Sequence, residues 1–75
     1  MEAGDKQDRL IRWPEVKHLT GLSRSSVWRR EVAGTFPRRV ALDETGSAVA
    51  WRSLEIAKWI EDRPRVMVAK GGAAS

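Results

Sequence analysis

The sequence predicts a mainly α-helical domain with one small β-hairpin, arranged as a winged helix-turn-helix, and three observations predict it. Two short helical segments flank the turn Thr20-Gly21, turn-forming residues at 43–47 separate two short alternating runs, and four tryptophans with Phe36 are available to close a core. A chain of 75 residues exposes a large share of its surface, so it builds one small domain, and aromatic side chains bury the most area per residue. The expected organisation is a flexible N-terminus over 1–8, the domain over 9–63 and a flexible tail over 64–75. Both ends are polar or rich in small residues, with no sustained apolar period.

Leu10-Ile11 is a short apolar pair that reads either as a brief strand or as a packed lead-in. Pro14, with its fixed φ, suits the start of a first helix over about Pro14 to Leu19. Thr20-Gly21 breaks that helix, and Leu22 plugs the turn into the core. Ser23 is the expected N-cap of a second helix and Gly34 its stop, which places this helix at Arg24 to Ala33. At about 100° per residue, Val27, Trp28 and Val32 share one arc, while Ser25, Ser26, Arg29, Arg30 and Ala33 share the opposite one. The apolar arc is expected to face the body, with Trp28 mainly packed. Glu31 falls inside that arc. An unpaired buried carboxylate is too costly, so it is expected at the edge of the core, reaching an arginine or a backbone donor. Two short helices about a tight glycine turn, the second with an outward arc of Ser and Arg, make a helix-turn-helix.

Phe36-Pro37 ends the helical region. Arg39 to Leu42 and Ala48 to Trp51 then read as two strands around Asp43-Glu44-Thr45-Gly46-Ser47, a hairpin signal. Val40 and Leu42 alternate on one strand and Val49 and Trp51 on the other, so each is expected to turn one apolar face to the body. An isolated hairpin is marginal in water and must lean on the helices. Ser53 is the expected cap of a third helix in which Ile56, Ala57, Trp59 and Ile60 share an arc, and Pro64 opposes its continuation beyond Arg63.

The net charge of +4 is unevenly placed. Lys17 to Leu42 carries Lys17, Arg24, Arg29, Arg30, Arg38 and Arg39 against Glu31 alone, while the rest holds eight basic and nine acidic residues. Such segregation points to a polyanion, because each basic side chain placed on a phosphate releases condensed counterions. Arg24, Arg29 and Arg30 either read guanine edges or grip phosphates, and Arg29, sharing the outward arc with Ser25 and Ser26, is the first candidate for base readout. Arg38 and Arg39 are neighbours on a strand, so only one of them is expected to face DNA. Thr45 and Ser47 at the hairpin tip are candidate contacts or simply turn formers.

Other chemistries are excluded on residue content. There is no cysteine, and His18 is the only histidine, so no metal site is expected. The serines lack a nearby histidine and acid in any sensible order and the acids lack ligand spacing, so no catalytic residue is assigned and no cofactor is expected. No apolar run approaches the roughly 20 residues that cross a bilayer, and the start of the chain lacks signal-peptide order, so a cytoplasmic protein is expected.

The stretch E-V-x-x-L-T-G-L-S-R-S-S-V-W-R at 15–29, G-T-F-P-R at 34–38 and A-V-A-W-R at 48–52 together resemble the AlpA-type prophage regulators, relatives of excisionases and of the DNA-binding domain of MerR-type regulators. The resemblance covers residues 9–62. It implies a small winged-helix DNA binder of prophages or mobile elements that controls promoters or assists excision. It places Ser23, Arg24, Ser25, Ser26, Trp28 and Arg29 on the recognition helix, and Arg38 with the hairpin on the wing. Two departures stand out: Arg30-Glu31-Val32 is more polar than the family's usual helix end, and the hairpin turn is longer. The expected function is sequence-specific binding of double-stranded DNA as a phage or mobile-element transcriptional regulator. An excisionase-type directionality factor and a module that recruits a recombinase, terminase or polymerase are the alternatives. Self-association as a dimer or cooperative array on DNA is left open, and no membrane or small-molecule partner is expected.

Overall fold

The computed structural model describes residues 7–67. Along the chain lie β1 (Leu10–Ile11), α1 (Trp13–Thr20), α2 (Arg24–Ala33), β2 (Val40–Ala41), β3 (Val49–Arg52) and α3 (Ser53–Glu61). Of the flexible ends expected at 1–8 and 64–75, residues 1–6 and 68–75 lie outside the described residues.

Local chemistry sets the helix-turn-helix. Pro14 sits in the first turn of α1, where its missing N–H leaves no bond unmade. At Gly21 the chain turns left-handed, φ 73°, and its N–H closes on the Lys17 carbonyl at 2.7 Å. The Thr20 hydroxyl donates back to the Val16 carbonyl, 2.8 Å, and accepts from Leu22 N, so the turn is held by its own side chain. Ser23 caps α2 as expected, its hydroxyl accepting from Ser26 N at 3.1 Å. Gly34, at φ 80°, ends α2, and Thr35 N donates back to Arg30 O at 2.8 Å.

The expected hairpin is part of a larger sheet. Leu10-Ile11 is a strand, and the antiparallel order is β1-β3-β2, with Ile11 opposite Trp51 and Val40 opposite Ala50. The central strand β3 is therefore covered on both faces at successive residues, Ala50 and Trp51. This corrects the expectation of one apolar face: Ala50 is buried, whereas Leu42, beyond the end of β2, is exposed.

Ser53 does not cap α3 with its side chain, because its hydroxyl accepts instead from Arg9 N, 2.7 Å. The cap comes from the far end of the chain. Asp8 Oδ1 accepts from Leu54 N at 3.1 Å and Oδ2 from Arg52 Nε at 2.9 Å. These two bonds, the Leu54 amide first, hold the Asp8 carboxyl below its usual range. Asp8 stands one residue ahead of the domain boundary expected from sequence.

The core consists of Ile11, Val16, Val27, Phe36, Trp51 and Ile56, with Trp13, Leu22, Val49 and Trp59 packed against it. Trp59 meets Phe36 edge-on, with ring centroids 4.8 Å apart, and its indole N–H donates to the Thr35 carbonyl at 2.7 Å. Two expectations about α2 are corrected. Trp28 is 58% exposed and Val32 63%, and the buried positions are Val27 and Glu31. The inward arc is centred between those two, so Trp28 and Val32 fall on its outer flank. On α3, Ile56 is buried and Trp59 half-buried, while Ala57 and Ile60 are exposed.

Candidate nucleic-acid interface

Between the N-terminal half of α2, the start of α1 and the wing formed by β2, β3 and their connection lies an open cleft of about 880 Å³. Arg24, Ser25, Trp28 and Arg29 line it from α2, because they lie on the arc left over once Val27 and Glu31 turn inward. Arg39, Ser47 and Val49 line it from the wing, and Arg12 with Trp13 from the entry to α1. Four guanidinium groups thus face one cleft, and no carboxylate is among its lining residues.

Two of these arginines are propped on indoles. The Arg24 guanidinium lies 5.3 Å from the Trp13 ring centroid, and the Arg39 guanidinium 5.0 Å from that of Trp51. A cation over an aromatic face gains about 0.5–1 kcal/mol at an exposed site, and the contact narrows its rotamer freedom without using its N–H donors. Arg39 is fixed further by Glu31, whose Oε1 accepts from Nε at 2.9 Å. The other oxygen of Glu31 accepts from Trp51 Nε1 at 2.8 Å. The expectation that Glu31 would reach an arginine at the edge of the core holds, and a buried indole donor joins it.

The structure separates the sequence-predicted site residues into two groups. It brings Arg24, Ser25, Trp28, Arg29, Arg39 and Ser47 to the cleft. Ser26 and Arg30 border a neighbouring depression with Ala33 and Thr35, round the side of α2. Ser23 serves as the cap, and Arg38 stands beside Trp28 and Val32 at the base of the wing, outside the cleft. Of the neighbours Arg38 and Arg39, only Arg39 faces the cleft. At the tip, the Asp43 carboxylate accepts from the Thr45 hydroxyl at 3.0 Å, Gly46 N at 2.8 Å and the Ser47 hydroxyl at 3.3 Å. These bonds, the Thr45 hydroxyl first, lower the Asp43 pKa. The Thr45 and Ser47 hydroxyls are therefore engaged in holding the turn.

Arg12 and Trp13 are cleft residues that sequence alone does not point to. The segregated positive charge begins at Lys17, and a single arginine before a helix carries no periodic signal. Only the fold brings Arg12 alongside Arg24 and Arg29. Among the described residues no group of three His, Cys, Asp or Glu side chains is placed to hold a metal ion, and no helix is long and apolar enough to cross a membrane.

The family model of the prophage CP4-57 regulatory protein (AlpA) matches residues 9–64. An uncharacterised protein, ORF88, of Enterobacteria phage P4 is 44% identical over 57 residues, which are 76% of this chain and 62% of that phage protein. The match thus spans less than two thirds of the length of that curated relative.

Proposed function

The chain belongs to the AlpA family of prophage regulatory proteins, and from that premise we propose that it is a sequence-specific double-stranded-DNA-binding regulator of a phage or mobile element. Helix α2 enters the major groove, with Arg29 and Ser25 toward the base edges. Arg12, Arg24 and Arg39 meet the flanking phosphates, and the wing lies along the backbone beside them. The observation that carries this reading is the cleft lined by four arginines and no carboxylate. A surface of one sign, propped on indoles, suits a fixed array of phosphates.

The test is a titration of the protein with duplex DNA over a salt series. If all four arginines sit on phosphates, log affinity falls linearly with log salt with a slope of about −3.6, and with one of them on a base, about −2.7. A protein with no salt-dependent affinity for duplex DNA refutes the reading. It would then favour the alternative of a module that recruits a protein, for which the exposed Trp28 and Val32 beside Arg38 offer an apolar surface. Footprinting across the neighbouring genome separates a promoter regulator, protecting a promoter, from an excision factor, protecting an attachment site. The protected length also distinguishes one copy from a dimer or a row.

A further inference from the structure

Glu31 stands where α2, the strand leading into the wing and β3 meet. It is 7% exposed, and both of its oxygens are engaged, one by Arg39 Nε and one by Trp51 Nε1. The Trp51 ring lies under the same Arg39 guanidinium. Arg39 is therefore held at its Nε edge and across one face. Among the described residues its two Nη groups have no protein partner, and the side chain lines the cleft.

By charge alone, a carboxylate under a phosphate-binding surface is unfavourable, because it offsets one of the four arginines. What it supplies is direction. A guanidinium carries donors on a rigid planar fork, so one edge can be held by the protein while the other is presented at a fixed angle, whereas a lysine's three donors share one nitrogen on a flexible stem and offer no second edge of fixed direction. We propose that Glu31 is a positioning residue for DNA recognition: it grips the Nε edge of Arg39 so that the Nη edge is presented to DNA at a fixed angle to α2. This inference rests on the DNA-binding reading above. It also ties the recognition helix to the wing, since the carboxylate is on α2 while its two partners precede β2 and lie on β3.

The experiment compares Arg39→Lys, Arg39→Ala and Glu31→Gln with the parent, on a duplex selected from a random pool and on an unrelated duplex, with thermal unfolding of each protein alongside. The lysine of Arg39→Lys keeps the charge beside Glu31 but has no rigid second edge to present to DNA. Its affinity for the selected duplex is expected to fall about tenfold, close to the loss in Arg39→Ala. Glu31→Gln is expected to weaken both duplexes, because the contact it positions is to phosphate and carries no sequence information, with part of the loss offset by the removed negative charge. The double variant Glu31→Gln/Arg39→Ala loses no more than Arg39→Ala, because both changes remove one interaction. Arg39→Lys binding the selected duplex like the parent overturns the proposal, and so does Glu31→Gln tightening on both duplexes alike. Should Glu31→Gln fail to fold, Arg39→Lys decides alone. A parent that binds neither duplex overturns the DNA-binding reading and this proposal with it, an outcome distinct from a normal parent with indifferent variants.

Discussion

Replacing Trp59 with alanine removes more than apolar area. The ring is half-buried at the outer side of the core, edge-on to Phe36 at 4.8 Å, and its N–H donates to the Thr35 carbonyl at 2.7 Å. The hydrogen bond contributes about 1 kcal/mol and the aromatic pair about as much again. With the apolar area of a partly buried ring, the loss comes to about 3–4 kcal/mol, within the usual range for truncating a large aromatic. In a domain of this size each kcal/mol moves the melting temperature by roughly 4–8 °C, so the midpoint should fall by at least about 12 °C. Trp59→Phe keeps the edge contact and loses the hydrogen bond, which should cost about 1 kcal/mol. Trp28→Ala, at a side chain 58% exposed, should stay within about 0.5 kcal/mol of the parent. Thermal unfolding followed by far-ultraviolet circular dichroism measures all three. Trp59→Ala melting within a few degrees of the parent, or Trp28→Ala costing as much as Trp59→Ala, would refute the placement of the two indoles.

Arg29→Ala should weaken binding to a selected site by about 1–3 kcal/mol and relax preference at a single base position, read by competition against single-base variants. Gly34→Ala should destabilise by about 1–2 kcal/mol in chemical unfolding, from backbone strain alone, since φ is 80° and no atom lies within 4 Å of the added methyl. The Asp8 and Asp43 carboxyls are held below 3.8, Asp8 chiefly by the Leu54 amide and Asp43 chiefly by the Thr45 hydroxyl. Folding therefore lowers their proton affinity, so the stability they add is complete above about pH 5 and is lost as pH falls through their folded values. Asp8→Ala should flatten that acid limb when stability is measured against pH, and should lower the melting temperature at neutral pH by uncapping α3.

Where the determinants are local, the sequence is readable. Helix α2 runs from Arg24 to Ala33 as expected because Ser23 and Gly34 mark its ends within one turn of the chain. The turn at Gly21 and the plug at Leu22 are legible for the same reason. Non-local partners are not. The cap of α3 is supplied by Asp8, 46 residues before the amide it serves, so Ser53 reads as the cap although its hydroxyl is occupied by Arg9. An arc drawn from apolar residues alone puts Trp28 and Val32 inside α2. The true arc is set by Glu31, which can be buried because Arg39 and Trp51 satisfy it. For the candidate interface, charge segregation and helical phase pick out Arg24, Ser25 and Arg29. The addition of Arg12 and the parting of Arg38 from Arg39 depend on how α1 and the wing meet α2.

On the DNA-binding reading, the cleft between α2 and the wing is the surface that meets DNA. The most direct test is the salt dependence of duplex binding by Arg12→Ala and Arg24→Ala, with Lys58→Ala as a control of equal charge change on α3, outside the cleft. Each cleft variant should lower the magnitude of the log–log slope by about 0.9, because one phosphate fewer is neutralised, while Lys58→Ala leaves it unchanged. Slopes unaffected by the cleft variants, or lowered by Lys58→Ala alone, would contradict the account.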